Sequence, residues 1–586
     1  MAGLSYFEGI EMKFPLIALF FTLSSSFASD SKLEWQGWSD TVFERAKTEK
    51  KLVLLDLEAV WCHWCHVMEE KTYSNPEVAK ILKKHYLLIR VDQESRPDLS
   101  QRYEDYGWPA TILFDGEGKE LAMRSGFIEP RAMASILQAF VDDPRPGPSV
   151  VQEDLSGNGM GIEDSLRKDL TSLQEERYDK KKGGWGVIHK YVDPDDIEYS
   201  IRLARKKNEK AKEEARATLK LNYKIQDPAW GGVYQYSVQG WDEPHFEKVL
   251  SYQTGNIIAY SLAYQQWGDP KYLKTAESIY GYLTNFLQDP NGAFYTSQDA
   301  DLIQGQHSEK YFRLGDKARR EKGIPRVDKH QYARENGWVI EAMCRLYTAS
   351  GDLKYLDTAK KAADWVLQNR PLANGGFRHD ERDLAGPYLG DTLAMGRAFL
   401  ALYRVTADRS WLTFSAKAFQ YIEENFRIKR GYATSKSASK FMPLRASSDE
   451  NVQLARFSNL LYQYTGEEKA KGAAEHALRF ITIPSVRKRL TPSALLILDE
   501  EFRQDPTHLT IVGGKADSSA KDLFLAAIRF PDNYLRVEWW DKAEGNLPRN
   551  DVSYPMLSKA AAFLCSEKKC SLPIYEGAML AKRIKD

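Results

Sequence analysis

The residues best suited to chemistry in this chain are two cysteines with two residues between them, Cys62-His63-Trp64-Cys65. That spacing brings two thiols together across one helical turn, so that a disulfide can open and close: one thiol attacks a partner and the other resolves the mixed disulfide. The apolar run Leu52-Val53-Leu54-Leu55 reads as a buried strand, passes through Ala59-Val60-Trp61 into the motif, and a helix follows. At a helix N-terminus, unpaired N–H groups and the macrodipole stabilise a thiolate. Cys62 is therefore expected to attack and Cys65, one turn on and less exposed, to resolve. His63 and His66 would add positive charge and oxidising power. Asp56, six positions before Cys62 on the strand, either takes a proton from Cys65 or is an ordinary strand-end aspartate. Two other chemistries compete for the motif. With His66 it satisfies the C-x-x-C-H pattern of covalent haem attachment, and Cys62, Cys65 and a histidine could bind zinc, although no second ligand pair of the expected spacing follows.

The elements that would hold this motif are legible on both sides of it. An amphipathic helix is expected around Trp38 to Lys47 and a second strand over Tyr86 to Val91. Then come Gly107-Trp108-Pro109, a strand Thr111 to Phe114, a turn Asp115-Gly116-Glu117-Gly118 and a strand ending near Gly126. The helix from Pro130 to Phe140 puts Met133, Ile136, Leu137 and Phe140 on one face. A proline opening a strand makes Pro109 a cis candidate. In this order, Asp56, the CxxC motif, Tyr103, Gly107, Pro109 and the 111–126 hairpin resemble the thioredoxin fold. That arrangement favours thiol–disulfide exchange over haem or zinc. Cys62-His63-Trp64-Cys65-His66-Val67-Met68-Glu69 and Val91-Asp92-Gln93-Glu94-Ser95-Arg96-Pro97-Asp98 further resemble a family that includes the spermatogenesis-associated thioredoxin-like protein and many bacterial relatives. That resemblance implies a helical toroid of six hairpins joined to the redox-like domain. The segment between Asp98 and Gly107 is shorter than the family's usual form.

Beyond a Pro- and Gly-rich linker around 142–161, the text repeats. Trp267-Gly268-Asp269-Pro270, Ser350-Gly351-Asp352-Leu353, Ala407-Asp408-Arg409 and Thr465-Gly466-Glu467 read as tight turns between apolar-periodic helices. Glycine-aromatic loops such as Gly231-Gly232-Val233-Tyr234 and Gly375-Gly376-Phe377 lie between the hairpins. A period of roughly 50 to 80 residues excludes the shorter helical repeats and favours a closed α/α toroid. This resembles the six-hairpin glycosidase and N-acylglucosamine epimerase architecture. The resemblance continues through Pro244-His245-Phe246-Glu247-Lys248-Val249, Asp299-Ala300-Asp301, Asp328, Asn336-Gly337 and Gly390-Asp391. A sugar-acting site needs paired carboxylates or histidine bases with aromatic walls. The candidates are His245, Glu247, Asp299, Asp301 and Asp391, with Trp185, Trp230 and Trp241 as walls; a structural polar network is the competing reading. Relatives often carry two acids where Gly390-Asp391 stands, and Trp where Glu335 precedes Asn336.

From His508 the pattern becomes strand, helix (Ser519 to Ile528) and strand (Leu535 to Trp539), a small α/β appendage. Cys565 and Cys570 are expected to form a static disulfide clip rather than an electron relay to Cys62 and Cys65. Cys344 reads as a buried core thiol. The expected organisation is multidomain: a signal peptide over 1–28, a thioredoxin-like α/β domain over 29–145, an all-α (α/α)6 toroid over 160–500 and the α/β segment over 505–586. The signal peptide reading takes Met12 as the start, Lys13 as the charged region, Phe14 to Phe21 as the apolar region and Ser26-Phe27-Ala28 as the cleavage site.

The 586 residues carry 82 Lys+Arg and 82 Asp+Glu, a net charge of +0 that gives no support to nucleic-acid binding. No later segment is apolar enough to span a membrane. The sequence therefore favours a periplasmic or secreted thiol–disulfide oxidoreductase acting on protein thiols and disulfides, its toroid binding a substrate or partner. The second reading is a glycan hydrolase or sugar epimerase with a carbohydrate partner and a docking head. Neither reading calls for a cofactor or a metal.

Overall fold

The computed structural model describes residues 32–585 except 151–154, 156–158, 160, 187, 384 and 567–568, so the expected signal peptide lies outside the described residues. The head opens with β1 (Trp35–Gln36), α1 (Asp40–Glu49), β2 (Leu52–Glu58), α2 (His63–Val67), α3 (Pro76–His85) and β3 (Tyr86–Asp92). It closes with α4 (Pro97–Arg102), β4 (Ala110–Phe114), β5 (Glu120–Ser125) and α5 (Pro130–Asp142). The sheet runs β1-β3-β2-β4-β5, with β2 parallel to β3 and antiparallel to β4. Val53 to Leu57 of β2 are buried, as a central strand covered on both faces requires. Leu54 and Leu88 pack with Leu82 and Leu137 on one side, Val53 and Leu55 with Phe43 and Ile112 on the other. This is the thioredoxin-like layering, and the Trp108–Pro109 peptide is cis.

The helical body begins with α6 (Asp164–Glu176), β6 (His189–Lys190), α7 (Pro194–Arg205) and α8 (Glu209–Leu221). Next come β7 (Tyr236–Val238), β8 (Pro244–His245), β9 (Lys248–Val249), α9 (Leu250–Trp267), α10 (Pro270–Tyr282) and β10 (Ser297–Gln298). The short α11 (Glu309–Phe312) and α12 (Asp316–Lys322) precede β11 (Val327–Asp328), α13 (Ala333–Ser350) and α14 (Leu353–Asn369). The body finishes with α15 (Leu389–Thr406), α16 (Arg409–Asn425), α17 (Ser448–Thr465), α18 (Glu468–Ile481), α19 (Pro484–Arg487) and α20 (Pro492–Arg503).

The inner ring is α7, α9, α13, α15, α17 and α20, each touching the next and α20 returning to α7. Five outer helices, α8, α10, α14, α16 and α18, each follow their inner partner in sequence. The sixth pair joins the two ends of the toroid, α6 packing outside α20. The repeated turns have one local cause. Gly268, Gly351 and Gly466 end inner helices in the left-handed region, where a Cβ is penalised. Asp269, Asp352 and Asp408 then cap the following outer helix by accepting from a backbone N–H two residues on.

The C-terminal part is a four-stranded sheet of β12 (Thr507–Val512), β13 (Leu535–Trp540), β14 (Ala561–Ser566) and β15 (Lys569–Cys570), in the order β13-β12-β14-β15, with α21 (Ser518–Ile528) and α22 (Gly577–Lys585). Cys565 and Cys570 face each other across β14 and β15 and form a disulfide, while Cys344 is a buried free thiol. Among the described residues no helix is long and apolar enough to cross a membrane.

The head is clasped by the toroid loop before α17. Phe441 stacks on Phe43 with ring centroids 4.7 Å apart, and Met442 joins the head's own core. Ser439 Oγ donates to Asp40 Oδ1 at 2.8 Å and Ser447 Oγ to Gln101 Oε1 at 2.6 Å. Met442→Ala is expected to cost about 2–5 kcal/mol, as other buried Met truncations do. It should appear as a lower urea midpoint together with faster proteolysis of the 142–163 connection; a midpoint equal to wild type would show that this loop does not hold the head.

Candidate functional site at the seam between head and toroid

Cys62 caps the N-terminus of α2, its Sγ accepting from Cys65 N at 3.2 Å, and the two cysteines are joined in a disulfide. The helix continues through a π-helical turn over Met68–Tyr73. Cys65 was expected to be the less exposed thiol. The structure instead buries both, Cys62 at 3% exposure and Cys65 at 4%, because the pair faces the toroid. Ala59, Trp61, both cysteines and the toroid's Val249 form one apolar cluster, flanked by Trp64, Trp108 and Tyr252.

The same turn of α2 carries His63 and His66, three apart and hence on one face. Both reach a single toroid carboxylate. His63 Nδ1 lies 2.7 Å from Asp301 Oδ1, and His66 Nδ1 lies 3.2 Å from Asp301 Oδ2. The oxygens are acceptors, so each Nδ1 carries the hydrogen. Gly305 N also donates to Asp301 Oδ2 at 2.8 Å. Asp299 stands on the same loop after β10. Its Oδ1 accepts from Asp301 N at 2.8 Å, while its Oδ2 has no hydrogen-bond partner and lies 3.7 Å from His66 Nε2. His307 packs on His63 with ring centroids 4.1 Å apart.

Burial and pairing oppose one another in these groups. Burial disfavours the charge of Asp301, but the hydrogen bonds from His63 and His66 outweigh it and hold the carboxyl below its ordinary range. Burial likewise works against a charged His66, yet the bond to Asp301 and the charge of Asp299 raise its pKa. Asp299, less fully paired, is pushed by burial up to about 6. Glu247, at the turn between β8 and β9, is 3% exposed and driven by burial up to about 7; its Oε2 has no partner. His245 stacks on Tyr236, and burial lowers its pKa to about 4. Asp56 donates nothing and accepts from Arg90 Nε at 3.0 Å through Oδ2; Oδ1 is unpartnered, and burial lifts its pKa to about 6 despite Arg90.

Four of the five toroid candidates, His245, Glu247, Asp299 and Asp301, thus lie in the environment of the histidines of α2. Asp391 does not. It belongs to a second seam cluster with Glu335 and His379, beside Glu94 of the head. His379 Nδ1 is 2.9 Å from Asp391 Oδ1, and its Nε2 is 2.7 Å from the Glu94 carbonyl oxygen. Both ring nitrogens face oxygens, and the charges of Asp391 and Glu335 raise the pKa of the ring against the effect of burial. Glu335 supplies a second acid beside Asp391. A Cβ on Gly390 would stand 2.9 Å from Glu450 Oε1 and 3.1 Å from Arg334 Cδ, so an acid there would require those two side chains to shift. Trp185, Trp230 and Trp241, expected as walls, are core residues instead. Trp230 Nε1 is held by Asp316 and Trp241 Nε1 by the Gly183 carbonyl. His307, His379 and Glu94 carried no readable role in the sequence, because each has a partner across the seam; only the three-residue spacing of His63 and His66 hinted at a shared acceptor.

A separate cavity of about 370 Å³ lies inside the ring, lined by Asp195, Glu198, Trp338, Arg397, Arg456 and Glu501 among others from all six inner helices.

Residues 24–140 match the family model Thioredox_DsbH, described as "Protein of unknown function, DUF255". Spermatogenesis-associated protein 20 of Mus musculus is 27% identical over 308 residues, covering 46% of this chain and 39% of that protein. The alignment thus spans about two fifths of that relative's length. Disulfide bond reductase DsbH of Chlamydia pneumoniae is 24% identical over 108 residues, 17% of this chain and 64% of that protein. Among solved structures, a sugar epimerase from a ruminal bacterium is similar with a TM-score of 0.44 and 15% identity, over 57% of this chain and 96% of that one. The head is therefore a thioredoxin-like domain whose sequence matches the Thioredox_DsbH model.

The His379 seam has a defined pH response. Burial opposes its charge, but Asp391 and Glu335 raise its folded pKa above the ordinary 6.5. Its contribution is therefore complete below that value and lost as pH rises through the folded pKa. Glu450, raised by burial to about 7, and Asp92, raised to about 6, act in the same direction. Thermal midpoints measured from about pH 5.5 to 9 should fall in wild type and fall less steeply in His379→Gln. Parallel profiles would remove His379 from the linkage.

Proposed function

We propose that this chain is an exported thiol–disulfide oxidoreductase whose CxxC pair works beneath the toroid. The observation that carries the reading is the Cys62–Cys65 disulfide at the head of α2, set on a thioredoxin-like sheet beside the cis Trp108–Pro109 peptide. The DsbH relative, named as a disulfide bond reductase, points the same way. Export is supported by the Cys565–Cys570 disulfide, a bond that persists in oxidising compartments.

In the reducing direction, the Cys62 thiolate attacks one sulfur of a partner disulfide, and the other sulfur leaves as a thiolate that takes up a proton. Cys65, its proton passed to the free oxygen of Asp56, then attacks Cys62 Sγ and releases the second partner thiolate. Two electrons leave the cysteine pair, which ends as the disulfide seen here; an external thiol reductant returns it to the dithiol. The hydrogen bond to Asp301 and the charge of Asp299 raise the pKa of His66, and positive charge held there favours the Cys62 thiolate. At 3% and 4% exposure the pair admits a small disulfide or a flexible cysteine-bearing segment more readily than a folded protein.

A second reading, a toroid that binds a carbohydrate, is favoured by the 370 Å³ cavity with Trp338 among its charged lining. It does not draw on Asp299 and Asp301, which are already engaged with the head.

With a dithiol reductant present, wild type should turn over a small dialkyl disulfide and an unstructured cysteine peptide, and Cys62→Ser should fall to background, a loss of at least about 100-fold. Absence of turnover in wild type on both substrates, or undiminished turnover in Cys62→Ser, would end the redox reading.

A further inference from the structure

The seam beside α2 holds more buried negative charge than its hydrogen bonds account for. Asp299, Asp301 and Glu247 are 1%, 2% and 3% exposed, and Asp299 Oδ2 and Glu247 Oε2 have no hydrogen-bond partner. An unpaired buried carboxylate oxygen is costly. The side chains around it are imidazoles: His66, with His63 and His307 behind it. His66, Asp299 and Asp301 each bring one donor atom to within 4.8 Å of the other two.

We propose that His66, Asp299 and Asp301 form a divalent-metal site bridging head and toroid, taking zinc or a similar first-row ion. The donor set, one imidazole nitrogen and two carboxylate oxygens, suits zinc, iron(II) or manganese(II), whereas calcium and magnesium sites are built from oxygens alone. The separation of His66 Nε2 and Asp299 Oδ2, 3.7 Å, is too long for a hydrogen bond. It is close to the roughly 3.4 Å between two donors on a tetrahedral ion with bonds of about 2.1 Å. Asp301 keeps Oδ1 on His63 Nδ1, the outer hydrogen bond that a metal-ligating carboxylate commonly has, and its Oδ2, held by Gly305 N at 2.8 Å, would turn to the ion by releasing its 3.2 Å hydrogen bond from His66 Nδ1. Three protein ligands leave a coordination position open, as in metal sites that bind a further ligand. One dication would offset two carboxylates without requiring both histidines to be protonated. Sequence spacing could not show this set, because His66 and the Asp299–Asp301 pair lie 233 residues or more apart and meet only when the head docks.

The test uses the full chain with its disulfides intact, stripped with a chelator and titrated with Zn(II) alone by calorimetry, with bound metal measured by mass spectrometry. One equivalent per chain is expected in wild type. Asp299→Asn and His66→Gln should each weaken binding at least about 10-fold. Glu335→Gln, in the other seam cluster, should bind as wild type, and so should the Cys62→Ser/Cys65→Ser double variant. Zn(II) should also raise the thermal midpoint of wild type and not that of Asp299→Asn, a comparison made within each folded protein. Cobalt(II) loading should give visible bands without thiolate charge transfer. Failure of wild type to bind one equivalent, equal binding by Asp299→Asn and His66→Gln, or binding abolished by the cysteine substitutions and retained by Asp299→Asn would each overturn the proposal. Because the readouts are stoichiometry and stability, they do not depend on the redox reading.

Discussion

The arrangement hangs on one buried carboxylate. Asp301 belongs to the toroid, yet two of its three hydrogen-bond donors are imidazoles of the head. A charge removed from water must be paired where it is buried, and removing its partners costs several kcal/mol. Undocking the head would expose or orphan Asp301 together with His63 and His66. The pairing therefore fixes which face of the head meets the toroid, and that face carries Cys62 and Cys65. Occlusion of the cysteine pair follows from the electrostatics of the seam, with Val249 and Tyr252 closing the apolar side.

A second seam works by the same rule with a different donor. His379 sets one ring nitrogen against Asp391 of its own domain and the other against the backbone carbonyl of Glu94. Backbone recognition of this kind depends on the path of the head's chain after β3 rather than on a side chain there. The clasp by Phe441 and Met442 adds apolar contact on the far side of the head's sheet. Three contacts of unlike chemistry thus hold one orientation. Two of them lie among buried carboxylates, of which Glu94, Asp299 and Glu450 have pKa values raised by burial while Asp301 is held down by its histidine partners.

Local signals in this chain were strong wherever one stretch of backbone decides the outcome. The strand before the CxxC, the helix opening at His63, the cis bond at Pro109 and the α21 helix all form where hydrophobic period and turn chemistry place them. The Gly-Asp turns were readable because a left-handed C-terminal glycine and an aspartate cap are each enforced within a few residues. The pairing of α6 with α20 was not readable, since closing the ring joins segments more than 300 residues apart and leaves no periodic trace. The aromatic walls failed for a related reason: a tryptophan in a Gly-rich loop can face a groove or turn inward to cap a hairpin, and packing alone decides.

The sequence by itself determined the chemical vocabulary: a CxxC pair on a thioredoxin-like strand and helix, a toroid of helical hairpins with acids and histidines in its loops, and a short-loop cysteine clip near the end. Those follow from residue type, spacing and local backbone preference, which act over a few residues. The tertiary structure alone decided that the histidines of α2 and the toroid's acids form one site, and that Asp391 belongs to another. The reason is that a buried charge is satisfied by whatever group comes within about 3 Å, and that distance has no counterpart in residue numbers.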